Sequence, residues 1–135
     1  MNNRERLTKE AIELLLVGDA KAFNKWRIDN STLSSGLNLE DITFPNIDFR
    51  GMNLSHSSFR KSKFKYGNFF EADCTNSNFA YAEFSGTELR GGNFKDAYMF
   101  RTRFLTCKLD QETLAEANTK ETVILTRLSS VKILP

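Results

Sequence analysis

Apolar residues recur at every fifth position through most of the chain. Counting in fives from Leu39 gives Leu39, Phe44, Phe49, Leu54, Phe59, Phe64, Phe69, Cys74, Phe79, Phe84, Leu89, Phe94, Met99, Phe104, Leu109 and Leu114, an unbroken apolar column in a chain that is only 40% hydrophobic. A period of five fits neither the 3.6-residue helix nor the two-residue strand, so the backbone must bend once per unit and wind as a solenoid. Two residues before each apolar position stand small side chains: Ser57, Ser62, Gly67, Ala72, Ser77, Ala82, Thr87, Gly92, Ala97, Thr102 and Cys107. They also point inward, where little room is left beside a Phe. The residue just before the apolar one is polar, as in Asn53, Asn68, Asp73, Asn78, Glu83, Glu88 and Asn93, and faces water.

Residues 1–36 break this period. Leu7, Ala11, Leu14 and Leu15 fall at helical spacing, Gly18-Asp19 interrupts, and Asp19 suits the N-cap of a second helix carrying Ala22, Phe23 and Trp26 on one face. A terminal coil leaves ring faces and backbone edges open, so these two helices are predicted to form a lid. In the first coil the small-residue column widens to Leu37, Ile42, Ile47 and Met52, an apolar floor for that lid. At the other end, Asp110 through Asn118 reads as a capped helical turn, with Asp110 as its N-cap and Asn118 as its stop. Leu114 keeps the phase inside that turn and marks the predicted end of the repeats. Beyond it, Val123, Ile124, Leu125, Leu128, Val131, Ile133 and Leu134 are too apolar for a free tail; they cap their own coil or pair with another chain. The predicted divisions are thus a helical cap (1–36), the solenoid (37–114) and a cap or dimerisation segment (115–135).

Ala72-Asp73-Cys74, Ser77-Asn78-Phe79, Ala82-Glu83-Phe84 and Gly92-Asn93-Phe94 resemble the A(D/N)LXX unit of pentapeptide repeat proteins. The resemblance covers roughly residues 37 to 114, and Phe23-Asn24-Lys25-Trp26-Arg27 is similar to the segment preceding the repeats in many members. It implies an all-β solenoid, a right-handed quadrilateral β-helix of about four coils with an N-terminal helical cap, each pentapeptide forming one side. Stacking at the β spacing of about 4.8 Å then gives four ladders: Leu39/Phe59/Phe79/Met99, Phe44/Phe64/Phe84/Phe104, Phe49/Phe69/Leu89/Leu109 and Leu54/Cys74/Phe94/Leu114. Members that dimerise do so through the C-terminal end, which makes a homodimer there one of the outcomes the resemblance implies.

Catalytic chemistry has no foothold in this pattern. His56, the only histidine, falls on an outward corner with neither Cys74 nor Cys107 in reach, so neither a zinc site nor a histidine-activated nucleophile has its partners. The two cysteines sit on inward columns of different coils and read as reduced, buried small residues. Gly86, Gly91 and Gly92 occupy corner and inward phases of the repeat and form no phosphate loop. No catalytic, cofactor or metal residues are assigned, and the chain reads as non-enzymatic. With 27% charged residues, a net charge of +2, no long apolar run and the charged start Asn3-Arg4-Glu5-Arg6, it also reads as a cytoplasmic protein without membrane association.

What remains is the outer charge pattern. Arg60, Lys61, Lys63, Lys65, Arg101 and Arg103 gather on the Leu39 and Phe44 sides, whereas Asp48, Glu71, Asp73, Glu88, Asp96, Asp110 and Glu112 dominate the other two. Lys61, Tyr81 and Arg101 share one corner column, with Lys63, Glu83 and Arg103 on the next. The candidate partner-binding residues are therefore Arg60, Lys61, Lys63, Lys65, Tyr81, Arg101 and Arg103, since exposed Arg and Tyr carry interface energy. The competing reading is a self-satisfied ladder, with cation–π contact through Tyr81 and ion pairs through Glu83. The expected function is a rigid protein–protein interaction module, with nucleic acid disfavoured because the cations are few and interrupted by an acid. The resemblance also implies an alternative, the DNA-mimicking pentapeptide proteins that protect or inhibit type II topoisomerase. This chain departs from them in its near-neutral charge and short solenoid.

Overall fold

The computed structural model describes residues 1–32, 36–127 and 130–135, with all their side chains except those of Arg127 and Ser130; in it the period of five becomes one side of a four-sided coil. Phe44 lies in parallel register with Phe64, Phe64 with Phe84, Phe84 with Phe104 and Phe104 with Ile124. One side is continuous sheet: β1 (Thr43–Pro45), β2 (Lys63–Lys65), β3 (Glu83–Ser85), β4 (Arg103–Leu105) and β5 (Val123–Arg127) stack in chain order, and β6 (Ser130–Ile133) returns antiparallel against β5. The other sides join coil to coil through single parallel bridges such as Asp48 to Asn68, Asn53 to Asp73 and Ser58 to Asn78. The chain is a β-solenoid preceded by helices.

The corners explain the period. Asp41, Asn46, His56, Lys61, Tyr66, Glu71, Asn76, Tyr81, Asp96, Arg101 and Thr106 all hold φ between 53° and 64°, the left-handed region that turns the chain once every five residues. Gly86 and Gly91 meet this demand and a second one: a Cβ there would stand 2.6 Å from the Tyr66 ring and 2.4 Å from the Phe70 ring, which lie flat on the next corner. The polar position before the apolar residue also does more than face water. On three sides the side-chain oxygens of Asn38, Asp48, Asn53, Asn68, Asp73, Asn78 and Asn93 accept the backbone N–H two residues on, at 2.9–3.2 Å. The sheet side carries Thr43, Lys63, Glu83, Arg103 and Val123 at that position, neither Asn nor Asp among them.

The core is a stack of rings. Phe44–Phe64, Phe64–Phe84 and Phe84–Phe104 lie nearly parallel with centroids 5.2, 4.7 and 5.0 Å apart, Phe49–Phe69 at 4.7 Å and Phe59–Phe79 at 5.2 Å. The small inward column serves hydrogen bonding as well as space. Ser62, Ser77, Thr102 and Thr122 donate to the carbonyl oxygens of Leu39, Leu54, Phe79 and Met99 one coil before, at 2.6–2.7 Å. Replacing Thr102 with the isosteric Val removes that donor while the Phe79 carbonyl keeps the Ala82 N–H, so Thr102→Val is expected to cost about 0.5–1.5 kcal/mol. Urea unfolding should register this as a lower midpoint at unchanged slope.

The helices α1 (Asn3–Val17) and α2 (Ala20–Asp29) close the first coil. Asn2 and Glu5 form a reciprocal capping box on α1, and Asp19 caps α2 by accepting from the Ala22 N–H. Ala11, Leu15 and Phe23 are buried in one cluster with Leu37, Ile47, Met52 and the rings beneath them, and Leu7 is buried as well. Three polar side chains hold this lid, two to the coil and one between its helices. Asn24 accepts from the Asn53 N–H at 2.7 Å and donates to the Gly51 carbonyl at 2.9 Å. Its oxygen stands where a preceding coil would present a carbonyl, as Met52 does to Asp73 and Ala72 to Asn93. Arg27, buried, donates to the Asn53 carbonyl at 3.1 Å and to Ser57 Oγ at 3.3 Å. Trp26 Nε1 donates to Glu10 at 2.9 Å, tying α2 to α1 and lowering the Glu10 pKa. Lid residues Asn24 and Arg27 thus bond the edge that Phe23 covers, a role the hydrophobic pattern did not reveal.

The C-terminal end differs from the predicted boundary. Residues 110–117 form successive turns rather than a helix; Asp110 caps them, accepting from the Thr113 N–H at 3.0 Å. Asn118 is no stop: it bridges to Tyr98, and Val123, Ile124 and Leu125 pair with Arg103, Phe104 and Leu105. The ladder therefore runs past 114, because Thr122 and Ile124 keep the small and apolar phases after a detour of whole units. Leu114 itself stays against the core, half-buried. The segment then folds back through β6 onto its own last coil; Leu128 lies outside the described residues. Cys74 is buried and Cys107 half-buried, both as free thiols; burial pushes Cys74 well up and Cys107 to about 11. Among the described residues no helix is long and apolar enough to cross a membrane.

Candidate docking surface

Because the sheet side needs no Asn or Asp at its outward position, long charged side chains stand there freely. Lys63, Glu83, Arg103, Val123 and Ile133 follow one another along the rod through the strand registers. Beside them runs the corner column Lys61, Tyr81, Arg101 and Glu121, all left-handed. Between the two columns lies an open groove of about 540 Å³ lined by Lys61, Lys63, Tyr81, Glu83, Arg101, Arg103, Glu121, Val123 and Ile133.

Five of the seven predicted residues, Lys61, Lys63, Tyr81, Arg101 and Arg103, thus meet in one groove. Arg60 sits on its shoulder with its guanidinium over the Tyr81 ring at 5.5 Å. Lys65 stands at the far end of β2 and does not line it. Tyr81 meets Phe100 edge-on at 5.6 Å, Phe100 stacks on Tyr98 at 6.2 Å, and Arg101 covers the Phe100 ring at 5.3 Å. Part of the surface satisfies itself: Arg103 binds Glu83 at 2.8 Å and Arg101 approaches Glu121 at 3.6 Å. Lys61, Lys63 and Lys65 form no ion pair among the described residues. The surface therefore has a paired half and, among the described residues, an unpaired half.

Glu121 and Val123 were within reach of the repeat phase, falling one coil beyond Arg101 and Arg103, but the predicted end at 114 hid them. Ile133 enters only through the antiparallel return of β6, which no periodicity announces. Elsewhere, a wider cleft of about 690 Å³ follows the seam between α1 and the first coil, where Arg4 and Lys9 alternate with Glu5, Glu13 and Glu40. Mixed signs give it no preference for a charged ligand. Among the described residues no group of three or more His, Cys, Asp or Glu side chains is placed to hold a metal ion.

The pentapeptide repeats family matches residues 35–65 and 68–104 as eight copies, and the chain belongs to that family. No curated protein matches the sequence. Among solved structures it is similar to the pentapeptide repeat protein Rfr23 of the cyanobacterium Cyanothece 51142, with 17% identity, a TM-score of 0.47, and 76% of this chain and 84% of that one covered. It is also similar to a pentapeptide repeat protein of the Arabidopsis thaliana thylakoid lumen, at 16% identity, a TM-score of 0.37 and 63% coverage of each chain. A third is HetL of Nostoc sp. strain PCC 7120, involved in heterocyst differentiation regulation, at 17% identity and a TM-score of 0.38, covering 70% of this chain and 43% of that one.

Proposed function

We propose that this chain is a rigid, non-enzymatic protein-docking module whose binding surface is the groove between Lys61 and Arg103. The observation that carries the reading is the meeting, on the sheet side and the corner column beside it, of lysines unpaired among the described residues, two arginines and an exposed Tyr81. Exposed cations beside an aromatic ring favour an acidic protein surface, and the stacked core beneath holds them at a fixed pitch. The DNA-mimic alternative has no comparable support, since this face is positive.

Reversing both Lys63 and Arg103 to Glu tests the reading. The melting temperature should fall only modestly: the Arg103–Glu83 pair is lost and three glutamates then face one another in register, each cross-strand pair weighing about 0.2–1 kcal/mol. Capture of partners from native lysate should be lost, yet retained when Arg90 and Lys108 on another side are reversed instead. Partners held equally by both variants would remove the groove from the binding surface.

A further inference from the structure

The charge order along the groove is periodic in a way that selects a ligand. Lys61 and Lys63 occupy one coil, Tyr81 and Glu83 the next, Arg101 and Arg103 the third, and Glu121 and Val123 the fourth, with Ile133 beyond. The two cationic coils are therefore two steps apart, or about 9.6 Å at the β spacing. A polyproline II helix repeats its face every three residues and rises about 9.3 Å in doing so. An ordinary extended strand alternates faces every two residues, so residues three apart point opposite ways. An α-helix needs seven residues to return to one face at this distance, about 10.5 Å, a poorer match to the two-coil step than the polyproline repeat.

We propose, resting on the docking reading above, that the groove takes an acidic segment in the polyproline II conformation, with carboxylates three residues apart and an apolar residue three further on. The first carboxylate is held by Lys61 and Lys63, the second by Arg101 and Arg103. The apolar residue lies on Val123 and Ile133, Ile133 being 66% exposed and without a cover among the described residues. Tyr81, 43% exposed and midway between the cationic coils, carries Arg60 over its ring and offers the part left exposed as an aromatic contact of the kind on which polyproline segments rest. Glu83 supplies the discrimination. Fastened to Arg103 at 2.8 Å, it stands at the midpoint and repels a carboxylate placed there. Glu121 does the same one coil beyond, where the ligand must be uncharged. A phosphate backbone has no such gap in its charge and meets both acids.

The probes are two fluorescein-labelled isomers, Glu-Pro-Pro-Glu-Pro-Pro-Leu and Glu-Pro-Glu-Pro-Pro-Pro-Leu, titrated by anisotropy against the intact protein at low ionic strength. The first is expected to bind at least about tenfold more tightly, the difference one charge-assisted contact makes. Lys63→Glu, checked for an unchanged melting temperature, should abolish that preference, and Glu83→Gln should narrow it by admitting the second isomer. Equal binding of both isomers, lost on Lys63→Glu, overturns the spacing while leaving acidic docking intact. If neither isomer binds wild type and a single-stranded oligodeoxynucleotide does, the spacing and the docking reading both fall.

Discussion

Phe84→Ala is expected to destabilise the protein by about 3–5 kcal/mol, the largest single-residue loss in the chain. The ring is fully buried and stacked between Phe64 at 4.7 Å and Phe104 at 5.0 Å, with Phe69 and Phe79 at its sides at 5.6 and 5.5 Å. Such a site cannot close around a missing ring. Backbone hydrogen bonds hold neighbouring coils at the strand spacing on both sides of it, from Glu83 N to the Ser62 carbonyl and from Arg103 N to the Ala82 carbonyl. The cavity therefore persists, and the penalty adds the lost contacts to the void. Coils contact only their neighbours, so a central gap also weakens the coupling between the two halves of the rod. Denaturant unfolding should show a lower midpoint, and a Phe84→Ala protein melting within a degree or two of wild type would sink the stacked-ring account.

Removing the helical lid is expected to have the next largest effect, read as loss of solubility. A chain beginning at Leu37 would uncover Leu37, Ile47 and Met52, all 7% exposed or less in the intact protein. The Asn53 N–H and Gly51 carbonyl would lose Asn24, and Ser57 would lose Arg27. The result is an apolar face rimmed by open backbone edges, which favours end-to-end pairing. Only the sheet side keeps a guard: Pro45, in the edge strand β1, has no N–H to offer another chain. Light scattering should find the shortened chain in large species at concentrations where the intact chain does not aggregate. A shortened chain that stays monomeric would assign Phe23, Asn24 and Arg27 some other use.

Much of this was legible in the residues. A period of five identifies a solenoid because no regular helix or strand repeats at five, and the inward columns named the buried residues from Leu39 to Phe104, with Ile42 and Gly92 only half-buried. The same phase placed Lys61, Tyr81 and Arg101 in one corner column and Lys63, Glu83 and Arg103 in the column beside it, since side-chain direction in a repeat follows position alone. Asp19 was legible as a cap for a local reason, its carboxylate meeting an N–H three residues away.

Tertiary structure decided what depends on contacts between coils or between segments without phase. The hydroxyls of Ser62, Ser77 and Thr102 look like mere small residues until the preceding coil brings a carbonyl to them. The helical spacing of α2 assigns Asn24 and Arg27 no partner until that helix is laid on an open edge. The apolar tail left two outcomes open, a cap on its own coil or pairing with another chain, and the β6 return that delivers Ile133 to the groove was decided by which edge lies nearest, a property of the assembled rod.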